Sequence, residues 1–263
     1  MRFSACCSRR FSTALFTVLA CATLAEAQTN PVAASGGSKS DTNMPSMAFP
    51  GHDALPGKGP VVGWIGYKPL WEKRRAEFWK HRKADQGAVV FLGDSITQGW
   101  NTLATDFPAL KTANRGIGGD TTQGVRYRLQ QDVLDLHPRA VVLLIGINDL
   151  GNGGTPRDAA DNVQAILEQL QKSNPKMPVI VCNVMPSKKD QSDRIQELNR
   201  LVDGVMKSFP NYVRCDTWTI FATPEGTCEK SEFPDMLHPN GLGYAKWKAA
   251  LEPILAKLKQ AGI

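Results

Sequence analysis

The feature that most constrains this chain is a series of short, continuous apolar runs separated by longer segments with helical periodicity. Ala88–Leu92, Ala140–Ile145 and Pro178–Val184 lack the polar alternation of a strand with one solvated face. Continuous runs of this length are typical of strands buried on both faces, as in parallel sheets. Strands that alternate with helices favour an α/β fold, with a mostly parallel sheet flanked by helices.

The remaining elements continue this alternation. Two weaker strands are predicted at Lys111–Asn114 and Tyr212–Asp216, so the sheet has five strands. The spacing of apolar residues predicts helices over 70–83, Thr122–Leu134, Pro156–Ser173, Ser192–Ser208 and Gly243–Gln260. The first of these is rich in basic residues, and its aromatic residues Trp71, Phe78 and Trp79 fall on one face. We interpret it as a surface helix packed on the domain, with a membrane-surface or polyanion-binding helix as the alternative.

The N-terminal 60 residues are expected to lie outside the fold. Residues 1–27 contain three arginines, then an apolar run, then the small-x-small sequence Ala25-Glu26-Ala27, which is the order of a secretory signal peptide cleaved after Ala27. An uncleaved anchor and lipidation at Cys21 are the alternatives. Residues 28–60 are rich in Gly, Ser, Pro and Asn, as in a flexible linker. Residues 61–263 then form one domain, in a protein that is secreted or periplasmic and not stably inserted in a membrane after cleavage.

The net charge argues against a nucleic-acid partner, and the cysteine count allows one disulfide. The formal net charge of +6 is mild, and loss of the leader lowers it, so nucleic acid is not an expected partner. Cys182, Cys215 and Cys228 lie beyond the leader. In an exported protein this odd number permits one disulfide and one free thiol. We expect Cys215 and Cys228 to pair and Cys182 to be a buried thiol.

Polar residues follow three of the predicted strands. Ser95 follows the first strand, Gly118-Gly119-Asp120 follows the second, and Asn148-Asp149 follows the third. Parallel α/β sheets bind ligands outside the carboxyl ends of their strands. Three strands would therefore bring three polar loops to one edge of the sheet. Asp94 is expected to anchor the loop of the serine rather than to transfer protons.

A serine nucleophile needs a base, and the chain has four histidines. His52 lies in the predicted linker, His81 on the basic helix, and His137 before the third strand, at the opposite edge of the sheet. His238 remains, and the spacing Asp235-x-x-His238 lets the carboxylate orient the same imidazole. A simple loop ion pair before the last helix is the alternative for these two residues.

An acyl-transfer site also needs donors for the tetrahedral oxyanion. The candidates are the backbone N–H groups of Ser95 and Gly119 and the side-chain amide of Asn148. An ordinary strand-to-helix turn at 116–119 and a helix cap or turn at 148–149 are the alternatives. The sequence lacks the G-x-S-x-G, H-E-x-x-H, C-x-x-C and EF-hand patterns, so we expect neither a cofactor nor a metal.

Taken together, four sequence blocks resemble those of the SGNH hydrolases, also called GDSL esterases and lipases. The blocks are 93–99 (GDSITQG), 114–122 (NRGIGGDTT), 146–149 (GIND) and 235–239 (DMLHP). The resemblance runs from about Val89 to the last helix. It implies a three-layer α/β/α, flavodoxin-like sandwich and a metal-free acyl-enzyme mechanism. It also assigns Ser95 as nucleophile, and Gly119 and Asn148 as oxyanion donors.

The glycine-rich second block is most similar to the branch that includes platelet-activating-factor acetylhydrolase subunits and bacterial carbohydrate acetylesterases. That resemblance implies a short acyl group. With the predicted leader, it indicates an O-acetylesterase acting on a small-molecule or polysaccharide ester. A lysophospholipase or phospholipid acetylhydrolase is the main alternative. An O-acyltransferase and a non-catalytic glycan-binding module are further alternatives.

Overall fold

The computed structural model describes residues 44–60 and 65–260, so the predicted leader and most of the predicted linker lie outside the described residues. The strands are β1 (Val89–Gly93), β2 (Thr112–Gly116), β3 (Ala140–Leu144), β4 (Val179–Cys182) and β5 (Val213–Cys215). The helices are α1 (Tyr67–His81), α2 (Ser95–Gln98), α3 (Leu103–Asp106), α4 (Thr122–Asp132), α5 (Ile147–Gly151), α6 (Pro156–Ser173), α7 (Ser192–Met206), α8 (Thr217–Phe221) and α9 (Gly241–Gln260).

The five strands form one parallel sheet in the order β2-β1-β3-β4-β5, which confirms the predicted fold. Every residue of β1, β3 and β4 is buried, as their continuous apolar runs predicted. The strand order reverses between β1 and β3. In sheets of this kind the crevice at the reversal, beyond the carboxyl ends of the strands, is where ligands bind.

Helices cover both faces of the sheet. On one face, α6 packs against both α4 and α7. On the other face, Trp247 of α9 packs against Trp100, with ring centroids 4.6 Å apart, and Trp100 packs against Phe91 of β1. Among the described residues, no helix is both long and apolar enough to span a bilayer.

The first long helix is held by more than its aromatic face. Trp71 and Phe78 are buried as predicted, whereas Trp79 is only half-buried. Arg75 is buried beside them and donates to the Asp132 carboxylate of α4, with Nε–Oδ2 at 3.0 Å. A buried guanidinium requires such a partner, so this helix is fixed to the domain by an internal ion pair as well as by apolar packing.

The described part of the predicted linker, residues 44–60, contacts the domain. The Phe49 ring lies 5.3 Å from Tyr67 and 5.1 Å from Trp71, between centroids. Farther along, the Gly57 carbonyl accepts from Gln123 and the Lys58 carbonyl accepts from Asn162. The packed part of the chain therefore includes residues before position 61.

The predicted disulfide is wrong. Cys182, Cys215 and Cys228 are all free and buried. Cys182 lies opposite Cys215 in the register of β4 and β5. In the sheet, Cys215 is therefore the neighbour of Cys182, whereas the sequence suggested Cys228 as its partner.

Candidate active site

Ser95 lies where the predicted nucleophile should be, on the turn that leaves the centre of the sheet. It is the first residue of α2, and β1 ends two residues earlier. Asp94 is the N-cap of this helix, because its Oδ1 accepts from the Ile96 amide at 2.9 Å. The buried cap fixes the backbone, while the serine itself remains half-buried and accessible.

The imidazole of His238 bridges the serine and a carboxylate. Its Nε2 lies 2.9 Å from Ser95 Oγ, and its Nδ1 lies 2.6 Å from Asp235 Oδ2. An ionised carboxylate can only accept, so Nδ1 carries the proton and Nε2 presents a lone pair to the hydroxyl. Residues that are 143 positions apart in the chain are thus in direct contact.

Asp235 is held in its charged form. Burial raises the pKa of this carboxyl group, but hydrogen bonds from the imidazole and from the backbone amides of His238 and Leu237 outweigh burial, and the pKa lies below its usual value. The carboxylate is therefore negative wherever the imidazole can act as a base. A negative charge at this place stabilises an imidazolium.

The turn between these two residues is strained and is fixed by a serine that sequence reasoning missed. Met236 has φ of 63°, which side chains other than glycine rarely adopt. The Ser187 hydroxyl, beyond the carboxyl end of β4, donates to the Met236 carbonyl at 2.7 Å. Its only sequence signal was its position after an apolar strand, where the site was already expected.

The candidate oxyanion donors lie beyond the carboxyl ends of β1, β2 and β3. Gly119 has φ of 80°, which requires glycine, and within the described residues no acceptor reaches its N–H or that of Ser95. The Asn148 side-chain amide donates one of its two hydrogens to the Asp120 carbonyl, with Nδ2 and O 2.9 Å apart. Its second hydrogen has no acceptor among the described residues. The Gly118 amide donates to Gln98 Oε1 at 2.6 Å, which fixes the glycine turn against α2.

Buried polar groups below the rim hold these loops together. The Asp120 carboxylate accepts from Arg128 Nε at 2.7 Å and from the Tyr67 hydroxyl at 2.8 Å. Asp149 accepts from the amide and the hydroxyl of Thr122 at the start of α4. The acidic residues of the second and third blocks therefore anchor the loops that carry Gly119 and Asn148.

A cavity of about 410 Å³ adjoins this cluster and is bordered by Asn148, Asp235 and Leu237. Its opposite wall comes from the segment between β4 and α7. Of the other histidines, His137 hydrogen bonds to Gln86 near the start of β1, at the far edge of the sheet. Across 44–60 and 65–260 no group of three His, Cys, Asp or Glu residues could hold a metal ion.

A hydroxyl, an imidazole, a carboxylate and convergent amide donors can together perform acyl transfer. The structure brings Ser95, His238 and Asp235 into one hydrogen-bonded chain. It joins Asn148 to the carbonyl of Asp120, the residue that follows Gly119.

Comparisons with known proteins agree with this geometry. The model of the GDSL-like lipase/acylhydrolase family matches residues 91–246. Platelet-activating factor acetylhydrolase IB subunit alpha1 of Pongo abelii is 30% identical over 198 residues, which is 72% of this chain and 84% of that protein. The human subunit is 29% identical over the same length.

Solved structures give the same result. A GDSL-like lipase of Bacteroides thetaiotaomicron superposes with a TM-score of 0.60 at 25% identity, covering 69% of this chain and 98% of that one. An acetyl xylan esterase superposes with a TM-score of 0.54, also at 25% identity, covering 64% and 98%.

Asp94 should make stability depend on pH. Burial, and then the charges of Asp120 and Asp149, raise its pKa from 3.8 to about 7, although the Ile96 amide opposes them. The folded protein therefore holds a proton that the unfolded chain releases between about pH 4 and 7. In this window the free energy of unfolding should fall as pH rises. One pKa unit is worth about 1.4 kcal/mol, so the fall is on the order of a few kcal/mol.

The variant Asp94→Asn keeps the capping oxygen but cannot ionise. Urea unfolding at pH 5 and pH 8 should show a smaller loss of stability for this variant than for the wild type. The exposed Asp161→Asn is the control for removing one carboxylate and should behave like the wild type. Equal losses in Asp94→Asn and the wild type would contradict the assignment.

Proposed function

The chain belongs to the GDSL-like lipase/acylhydrolase (SGNH) family of carboxylic ester hydrolases, and we propose that it is an exported esterase that removes acetyl groups from carbohydrate. The observation that carries the proposed chemistry is the hydrogen-bonded chain from Ser95 Oγ through His238 to Asp235, at 2.9 and 2.6 Å.

In the proposed acylation step, His238 Nε2 takes the proton of the Ser95 hydroxyl, and Oγ forms a bond to the ester carbonyl carbon. The carbonyl π electrons move to oxygen, which the N–H groups of Ser95 and Gly119 and the Asn148 amide stabilise. When the tetrahedral intermediate collapses, the bond to the alcohol oxygen breaks. The imidazolium gives its proton to that alcohol, and the acyl group stays on the serine.

Deacylation follows the same route with water. His238 takes a proton from the water as its oxygen attacks the acyl carbon, and the same donors stabilise the second oxyanion. Collapse breaks the bond to Ser95 Oγ, which recovers its proton from the imidazolium. Acetate leaves, and no cofactor is needed for the proton transfers. Each oxyanion donor is worth about 10²–10³-fold in rate.

Two observations support an acetyl group on a hydroxyl-rich alcohol. The similar proteins include an acetyl xylan esterase and acetylhydrolase subunits, whose names specify acetyl esters. The cavity beside the triad has lysine, aspartate and glutamine in its wall. A more apolar cavity, which includes residues 106–110, lies before β2 and therefore at the opposite edge of the sheet.

The alternative is a phospholipid acetylhydrolase or lysophospholipase, which the name of the acetylhydrolase relatives favours. A lysophospholipase requires an apolar groove for a long acyl chain beside the nucleophile. An O-acyltransferase would have to keep water from the acyl-enzyme. A glycan-binding module without catalysis would have no use for an aligned hydroxyl and imidazole.

Export is proposed from residues 1–27, which lie outside the described residues. The arginines, the apolar run and the small residues before position 28 support a cleaved leader. The protein would then be secreted or periplasmic, where extracellular polysaccharide is accessible.

Ser95→Ala should lower kcat for p-nitrophenyl acetate by about 10⁴-fold or more, because the nucleophile is lost while the packing remains. Circular dichroism should be unchanged. The control Ser173→Ala, at the exposed end of α6, should retain full activity. A folded Ser95→Ala variant with normal turnover would refute the mechanism.

Acyl-chain length separates the proposed function from its main alternative. For p-nitrophenyl esters from acetate to palmitate, kcat/KM should be highest for acetate and fall steadily with length. Acetylated xylo-oligosaccharides should be hydrolysed, and 1-palmitoyl lysophospholipid should not. A preference for the palmitoyl substrates would contradict the acetylesterase assignment and favour a lysophospholipase.

Cleavage of the leader should leave Gln28 at the N-terminus. N-terminal sequencing of the protein recovered from a secreting bacterial host would test this. A protein that keeps Met1 and sediments with membranes would show that the leader is instead an anchor.

A further inference from the structure

We propose that the 410 Å³ cavity beside the triad binds the alcohol part of the ester, a sugar ring, and that Lys188 and Asp190 determine this specificity. We call it the alcohol cavity. The lining residues that matter below are Lys188, Asp190, Gln191, Asp235 and Leu237. This inference rests on the proposed esterase function and extends it to a binding site.

The position of the cavity matches the direction in which the alcohol leaves. The leaving oxygen must receive its proton from His238 Nε2, so the alcohol lies on the imidazole side of the tetrahedral carbon. Asp235 and Leu237, which flank this imidazole in the turn, both border the cavity. Its volume is within the range of about 300–1,000 Å³ that is usual for small-ligand sites.

The chemistry of the far wall suits hydroxyl groups. The Lys188 ammonium can only donate and the Asp190 carboxylate can only accept, while sugar hydroxyls do both. Both side chains are exposed, and neither forms an ion pair with any described residue. Gln191 Oε1 accepts from Arg194 at 3.3 Å, which leaves its amide hydrogens available.

A saturated acyl chain would gain little from the far wall of this cavity. It would displace water from the ammonium and the carboxylate without replacing the lost hydrogen bonds, and burying unpaired polar groups is unfavourable. The polar wall therefore favours a polar alcohol over a long acyl group.

The two walls are fixed relative to each other. Arg194 of α7 donates to the Leu150 carbonyl at 2.8 Å and to the Gly154 carbonyl at 2.5 Å, which ties α7 to the end of α5. The Ser187 hydroxyl ties the segment before Lys188 to the histidine turn through the Met236 carbonyl. Fixed walls reduce the ordering cost when a ligand binds, so the cavity is organised before the sugar enters.

The test compares two substrate series on Lys188→Ala, Asp190→Ala and the double variant. For acetylated xylo-oligosaccharides, KM should rise about 5-fold in each single variant and about 10-fold or more in the double variant, since a net hydrogen bond is worth about 1 kcal/mol. For p-nitrophenyl acetate, whose alcohol has no hydroxyl pattern to match, kcat/KM should stay within about 2-fold of the wild type.

Lys189→Ala is the matched control. It removes the neighbouring ammonium, but Lys189 donates to the Glu225 carbonyl and does not line the cavity. Its kinetics on both series should equal those of the wild type. A common loss in Lys188→Ala, Lys189→Ala and Asp190→Ala would indicate a nonspecific effect on this segment and would overturn the inference.

The outcomes separate this inference from the proposed function. If the wild type hydrolyses acetylated sugars and the double variant does so with unchanged KM, the cavity assignment is wrong and the esterase remains. If the double variant instead changes selectivity among p-nitrophenyl acetate, butyrate and hexanoate, the cavity holds the acyl chain. A wild type that hydrolyses p-nitrophenyl acetate but no acetylated sugar would overturn both the proposed substrate and the cavity's ligand.

Discussion

The convergence of the site depends on one buried ion pair, between Arg128 and Asp120. Both side chains are fully buried, with Nε and Oδ2 2.7 Å apart. The Arg128 Nη2 group also donates to the carbonyls of Gly93 and Arg115, in the last two residues of β1 and β2. One guanidinium therefore joins the strand end that leads to the nucleophile with the strand and loop that lead to Gly119. Removing Arg128 would leave the Asp120 charge buried and uncompensated, which costs about 3–5 kcal/mol.

Asp120 also connects this ion pair to the other loops of the site. Its second carboxylate oxygen accepts from the Tyr67 hydroxyl, so α1 is attached to the loop below the oxyanion donors. The backbone carbonyl of Asp120 accepts from the Asn148 amide, which joins the loop after β3 to the loop after β2. Because Tyr67 also packs against Phe49, even the segment before α1 is connected to this network. These bonds connect the elements that carry the candidate oxyanion donors, although Arg128 Nη1 has no hydrogen-bond partner among the described residues.

Much of this arrangement could be predicted from the sequence, and the exceptions have physical reasons. The strands were predictable because burial on both faces leaves a continuous apolar run, and His238 was predictable because the other histidines fall in the wrong places. The buried Arg75 and Arg128 were not, since a basic residue on a helix usually lies in solvent and its partner comes from another element. The Cys215–Cys228 pairing failed because inter-strand register, which places Cys182 opposite Cys215, has no local signal. Ser187 was missed because a single serine after a strand resembles any loop residue.

Two aspartates near Ser95 show how environment assigns different roles to one residue type. Asp235 accepts three hydrogen bonds, from the imidazole and two backbone amides, and its pKa lies below the usual value. Asp94 accepts one from Ile96, and within the described residues no donor reaches its other oxygen, so burial dominates and its pKa rises to about 7.

Below about pH 7, therefore, Asp235 is the charged member of this pair, and its charge lies behind the imidazole. A second charge next to the serine would repel the oxyanion as it forms, and the burial that makes Asp94 a cap also favours its neutral form. For these two aspartates, the balance between burial and hydrogen-bond donors sets the direction in which each pKa moves, and with it the division of work between charge stabilisation and backbone anchoring.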